Sequence, residues 1–241
     1  MLSPRLTLVC LSLLCCSSFT QATLDKRDFN YTPLQSQDSP KIEEIHHKKW
    51  DSHWLMAPVG ALAHTQKDKL KSVFKSKGEG EKGETQSADF TLYDSQGHEQ
   101  TLTINQSEIL GDADWTKADD GVWWSPGIET AGLKMKGYLG LDEEKTSRGD
   151  PVKAFKMLTN ERATLEAVRD KDRFTEILHR AQDIPVIMGT SSGGDDQLSL
   201  RSHTWHTILS YTERDDDEIN GEVVKDAVIY WNFDKNKKDG I

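Results

Sequence analysis

The side chains of this chain that could do chemistry are unevenly spaced. Its three cysteines, Cys10, Cys15 and Cys16, all lie close to the amino terminus. His46, His47 and His53 precede or open an apolar stretch, and His203 and His206 flank Trp205. Imidazole serves near neutral pH as a general base or a metal ligand. On a strand, however, residues 203 and 206 point to opposite faces, so this pair does not predict a shared metal site. Asp215-Asp216-Asp217-Glu218, followed by Asn220-Gly221, opens like a calcium loop. Such a loop needs a bidentate Glu at its twelfth position, and counting from Asp216 reaches Ala227, so a solvated hairpin turn is expected instead. Gly189-Thr190-Ser191-Ser192-Gly193-Gly194 lacks the Gly-Lys-Ser/Thr ending of a phosphate loop and reads as a connection. No cofactor and no metal are expected. Asn30-Tyr31-Thr32 and Asn105-Gln106-Ser107 fit the N-glycosylation acceptor pattern, which matters only in an exported protein.

Export is what the amino terminus predicts. Arg5 precedes the apolar run Leu6 to Cys16, and Thr20-Gln21-Ala22 supplies a cleavage site, so residues 1–22 read as a signal peptide and the protein as secreted and extracellular. That run falls short of the roughly 20 residues a bilayer requires, and no later segment comes near it, so no membrane span is expected. With residues 1–22 removed no thiol is left, which excludes both disulfides and cysteine catalysis. Residues 23–42 are polar and hold Pro33 and Pro40, the composition of a disordered leader. Within it Lys26-Arg27 has the dibasic form that secretory convertases cut, predicting cleavage after Arg27.

What remains, 43–241, has the length of one ordinary domain. Lys plus Arg number 30 against 40 for Asp plus Glu, a net charge of −10 that repels phosphate backbones and argues against nucleic acid as a partner. Trp54, Leu55, Ala61, Leu62, Leu70, Val73 and Phe74 recur at helical spacing, with Pro58 and Gly60 predicting a kinked start. Lys75 to Gln86 reads as a Gly-, Glu- and Lys-rich loop. Phe90 and Leu92, then Leu102 and Ile104, alternate with polar neighbours around Asp94-Ser95-Gln96-Gly97 and predict a β-hairpin. The stretch from Val122 to Ala181 is mostly helical in pattern, its best stripe being Phe174, Ile177, Leu178 and Ala181. Pro185 to Met188, Thr204 to Tyr211 and Val223 to Trp231 are rich in β-branched and aromatic residues and predict strands. The expected class is α+β, with a helical half at 43–182 that includes the β-hairpin and an antiparallel β half at 183–241.

Several short pieces taken in order resemble a known family. They are Asp51-Ser52-His53-Trp54-Leu55, Trp124-Ser125, the stretch Pro151 to Thr159, Phe174 to Ala181 leading into Pro185 to Thr190, Ser202-His203-Thr204-Trp205, and Tyr230-Trp231-Asn232. Together they resemble the core of the calpain-type cysteine peptidases over most of residues 43 to 234. The resemblance implies a papain-like two-lobed fold. It also implies a site in which a thiolate heads a helix, a histidine takes its proton and an asparagine orients the imidazole. Matched residue by residue, His203 takes the place of the base and Asn232 that of its orienting partner. His53 stands where the family has its cysteine, and His47 where it has the glutamine of the oxyanion hole. The Pro-Trp that follows the family's asparagine is replaced by Phe233-Asp234. Trp54, Trp124 and Trp205 would wall the cleft. The resemblance thus implies a secreted peptidase homologue without peptidase activity, acting by binding a peptide or protein. An alternative alignment makes Ser52 the nucleophile of an active hydrolase, with His203 and Asn232 completing the set.

Overall fold

A helix whose every face is apolar has no side to give to water and must lie at the centre of a fold. Residues His53–Thr65 form such a helix, α1, in which every side chain from His53 to Ala63 is buried. The computed structural model describes residues 32–36, 39–45, 52–79, 84–110, 121–138, 149–190, 203–212, 217–219, 222–224, 227–232 and 237–240, all within the unit Tyr31–Ile241. Residues 1–22, read above as a signal peptide, and the Lys26-Arg27 pair, Asn30 and His47 lie outside them. Among the described residues no helix is long and apolar enough to cross a membrane.

Helix α1 runs through Pro58 and Gly60, and the chain breaks at Gln66 (φ −135°, ψ 53°) before the short α2, Lys67–Lys71. The helix thus continues through both residues that predicted an irregular start, and it ends only at Gln66. Phe74–Glu79 (β1), Thr85–Tyr93 (β2) and Glu99–Asn105 (β3) form an antiparallel sheet in the order β1-β2-β3. The predicted hairpin is β2–β3. Its turn is held by Asp94, whose Oδ1 accepts from the backbone N–H of Gln96 at 3.0 Å and of His98 at 2.9 Å. The loop expected over Lys75 to Gln86 is instead largely strand. Lys75 lies opposite Asp89, and Lys77 Nζ sits 3.3 Å from the same carboxylate, so polar residues that read as a loop occupy a charged sheet edge.

Four more helices follow: Gln106–Leu110 (α3), Trp124–Met135 (α4), Pro151–Thr159 (α5) and Lys171–His179 (α6). The caps of α5 are legible in its residues. Asp150 accepts from Val152 N at 2.9 Å, Pro151 occupies the first turn, and Asn160 closes the helix in the left-handed region (φ 57°). Asp170 caps α6 in the same way, accepting from Arg173 N at 2.9 Å. Between them, Glu161 to Asp170 is not helical although its residue types favour helix.

A second sheet has the order β4-β5-β8-β9, from Ile187–Gly189 (β4), Trp205–Thr212 (β5), Ala227–Asn232 (β8) and Lys237–Gly240 (β9). Asp217–Ile219 (β6) and Glu222–Val224 (β7) pair only with each other. Asp217 and Glu218, expected in a turn, thus belong to a strand. The molecule is a mixed α and β fold with antiparallel sheets, and its first half holds a three-stranded sheet rather than a hairpin alone.

The main core joins α1, α4, α5 and the first sheet. The ring of Trp124 stacks on Phe74 at 5.6 Å between centroids, and Phe90 meets Trp123 at 6.0 Å. Residues 32–36 and 39–42, read above as part of a disordered leader, belong to this structure. Leu34 and Ile42 are buried in the core, the Leu34 carbonyl accepts from the backbone N–H of Trp123 (3.2 Å) and Trp124 (3.0 Å), and Pro33 bridges Glu84. Two apolar anchors separated by polar residues fall below what a composition window registers, yet they fix the segment through long-range backbone bonds. Cleavage after Arg27 would leave it attached.

Candidate functional site

The second sheet is covered on both faces, and the parity of each strand residue decides what it meets. Thr207 faces α1, its hydroxyl donating to the Ala57 carbonyl at 2.8 Å, and Leu209 and Trp231 belong to the same core. Ile208, Val228 and Tyr230 face the other way, against Leu178 and Ala181 of the α6 region. Farther along α1, His64 Nε2 lies 2.8 Å from the Leu209 carbonyl. With Ala57 beside Thr207 and His64 beside Leu209, α1 and β5 run in the same sense. Their starts, His53 and Trp205, therefore share one end of this layer.

The expected catalytic positions are distributed as follows. His53 is the first residue of α1 and only 7% exposed. His203 is exposed and lies in a turn ahead of β5, with φ 59°, its N–H donating to the Thr190 carbonyl at 3.0 Å. It is not on the strand where the β pattern placed it. Asn232 ends β8, one step along the register from the Thr207–Trp231 pair, which puts it opposite His206 rather than His203. His206 is buried, its Nε2 lies 3.0 Å from Thr204 Oγ1, and its ring meets Tyr230 edge-on at 5.1 Å. Ser52, the alternative nucleophile, is fully buried at 0% exposure. A nucleophile must meet its substrate, and this hydroxyl does not reach the surface. Among the described residues no three His, Asp or Glu stand close enough together to hold a metal ion.

Of the three tryptophans expected on the cleft wall, two are core residues. Trp54 and Trp124 are 2% and 0% exposed. The indole N–H of Trp124 donates to the buried Glu44 carboxylate at 2.7 Å, and the Trp54 ring lies against the Gly149 backbone. Their burial follows from volume, since the chain has few larger apolar groups with which to fill the space between α1, α4 and the first sheet. Trp205 is partly exposed and does line a cleft, its ring lying across Gly189. Asn105 is exposed at the end of β3, and its side-chain N–H donates to Glu108 Oε1 at 2.9 Å.

That cleft has a volume of about 1080 Å³. Its floor is apolar, with Leu62 of α1, Phe155 of α5, Phe174 of α6, Ile187 of β4 and Trp205 and Ile208 of β5. The segment Glu161–Asp170 passes along it as a strap. One end of the strap is tied by Glu161 to Lys69 Nζ at 2.7 Å. Its middle is tied by Glu166, whose two oxygens receive Arg173 Nε at 3.1 Å and Nη2 at 3.0 Å. Arg173 also reaches Glu176 at 2.7 Å. Leu165, between the two ties, is 63% exposed. The signal in the sequence was the recurrence of Arg162, Arg169, Arg173 and Arg180 within an acidic chain, and it reads as a site only once the strap and β4 are adjacent.

The fork of Arg173 holds the Glu166 carboxyl below its ordinary pKa, chiefly through the hydrogen bonds it donates. A depressed carboxyl contributes its contact fully above its unfolded value, about pH 4, and loses it as pH falls through the folded value. Glu166→Gln should therefore open the strap about two- to five-fold at pH 7, the modest gain expected of an exposed pair. In strong acid it should differ little from wild type. Amide exchange over residues 161–170, corrected for intrinsic rates, measures both, and equal exchange at pH 7 would show that the pair does not hold the strap.

Comparison with protein-family models and with curated protein sequences finds no match for this chain.

Proposed function

We propose that this is a secreted binding protein built on a calpain-like, papain-type core, which has lost the peptidase chemistry of that family and holds an extended peptide or peptide segment. The observation that carries the reading is the residue at the head of the buried helix α1. A histidine stands there, in a chain without a cysteine beyond Cys16. An imidazole at that position cannot form the thioester through which the family's chemistry passes. The helix lies along β5 with their starts at one end, the relation in which a helix-borne group and a strand-borne base work together in that family. The cleft beside Trp205 supplies an apolar floor of the size that small ligands and short peptides occupy. The hydrolase reading through Ser52 is disfavoured by the burial of that hydroxyl.

The test is a pair of measurements on the secreted protein. Quenched fluorescent peptide libraries should show no turnover above buffer, with or without thiol-directed inhibitors. Titration with unlabelled peptides should give a saturable change in tryptophan emission that Trp205→Phe reduces at least threefold. Peptide turnover abolished by His203→Ala would overturn the inactive assignment, and the absence of saturable binding to any peptide would overturn the binding one.

A further inference from the structure

Among the described residues strand β4 is the outer strand of its sheet, paired only with β5 through Ile187–Thr207, Met188–His206 and Gly189–Trp205. In an antiparallel ladder, alternate residues exchange both backbone bonds with the neighbour, and the ones between turn theirs outward. The bonds Ile208 N to Val186 O (3.1 Å) and Thr190 N to Thr204 O (2.9 Å) set that alternation. Residues 186, 188 and 190 face β5, while Ile187 and Gly189 turn their N–H and C=O groups to the open edge. That edge borders the cleft, as residues 184 to 189 all line it. An unguarded strand edge is a template for another strand.

The charge around the cleft selects what kind of strand. Arg162, Arg169, Arg173 and Arg180 line it against Glu161 and Glu166, a positive excess in a protein of net charge −10. Arg173 is engaged with Glu166 and Glu176, whereas Arg162 and Arg169 make no ion pair among the described residues. Guanidinium groups beside an apolar floor suit carboxylates carried on an otherwise apolar chain.

We propose that an extended peptide alternating apolar and acidic residues adds to the open edge of β4, between that strand and the strap 161–170. Backbone bonds go to Ile187 and Gly189, apolar side chains lie on Trp205 and Phe155, and carboxylates meet Arg162 and Arg169. This rests on the reading of the protein as a peptide binder and names the peptide class and its mode.

The experiment uses the whole secreted protein and a synthetic octapeptide alternating Leu and Glu. It is compared with the same peptide carrying Lys for Glu, and with a version N-methylated at alternate amides. Binding is followed by calorimetry and by amide exchange at residues 187 and 189. The Glu peptide should bind at least tenfold more tightly than the Lys peptide and should slow exchange at Ile187 and Gly189. One of the two N-methylation phases should lose tenfold or more. Arg162→Gln with Arg169→Gln should cost about five- to tenfold and flatten the salt dependence. Both side chains are exposed or half-exposed at the rim, and an unchanged circular dichroism spectrum shows that the fold is kept. Equal affinity for the Glu and Lys peptides, or insensitivity to methylation in both phases, overturns this proposal while leaving peptide binding standing. Failure of both peptides, and of the libraries above, overturns the binding reading as well.

Discussion

Gly149→Ala should destabilise the protein by about 3 kcal/mol, the upper end of what overpacking a rigid core costs. The backbone at position 149 lies against the indole of Trp54, and an added Cβ would stand 2.0 Å from its Cδ2 and Cε2 atoms. An indole that is 2% exposed and anchored near the start of the central helix has no free space into which to swing. Either the 149 backbone withdraws, taking the start of α5 with it, or Trp54 leaves the core, and a buried tryptophan is worth about 3–5 kcal/mol. Against a total of about 5–15 kcal/mol this is a large fraction. For a chain of this size it should lower the melting temperature by roughly 6–12 °C. The clash makes its own control. Combined with Trp54→Ala, the alanine at 149 should add little to the cost of the tryptophan change, and additive costs in a double-mutant cycle would show that the two do not meet. Trp54 follows His53, so the substitution also reports on how firmly the head of α1 is held.

A second large effect is expected at Trp124. Its ring stacks on Phe74 with 18° between planes, and its N–H satisfies the Glu44 carboxylate, which is 2% exposed. Glu44 also accepts from the Ser36 hydroxyl and, at 3.4 Å, from the Lys41 backbone. Trp124→Ala removes the ring and should cost about 3–5 kcal/mol. Trp124→Phe keeps most of the stack but strips a buried carboxylate of one of its hydrogen-bond donors, which should cost about 1.5–3 kcal/mol. Replacing Glu44 by Leu in the phenylalanine background should recover part of that loss, because no unsatisfied charge then remains. Urea unfolding of the three variants separates the packing contribution from the hydrogen bond. A phenylalanine variant as stable as wild type would show that the Glu44 contact contributes nothing. Through Glu44 the same bond links Ser36 and Lys41 to α4, so its loss should also raise amide exchange at 32–36 and 39–45.

Where a local signal existed, the elements could be read from the residues. The β2–β3 hairpin follows from alternation around Asp94, and α6 from its Asp170 cap and the stripe ending at Ala181. The β5 and β8 strands follow from their β-branched and aromatic runs. Such signals act over a few residues, through caps, turns and the period of the side chains, so a single segment contains them. The readings that failed needed information from far along the chain. Thr32 and Leu34 are held by backbone bonds to positions 85, 123 and 124, and Leu34 and Ile42 are buried anchors. Lys75 and Lys77 lie in a strand whose partner supplies Asp89, directly across from Lys75 and 3.3 Å from Lys77 Nζ. Glu161–Asp170 is not helical, although its residues favour helix, where ion pairs to Lys69 and Arg173 hold it beside the cleft.

The candidate site divides along the same line. The residues alone determined that no cysteine follows Cys16, that a histidine opens the central apolar helix, and that the net charge is −10. These are matters of composition and order, which folding cannot alter. Only the tertiary structure decided that Trp54 and Trp124 fill the core while Trp205 lines a cleft, and that His203 sits in a turn while His206 comes into register with Asn232. Only it decided, too, that the arginines between 162 and 180 gather beside an open strand edge. Burial and register are settled by which distant surfaces meet, and the free energy of that meeting belongs to the pair of segments rather than to either one.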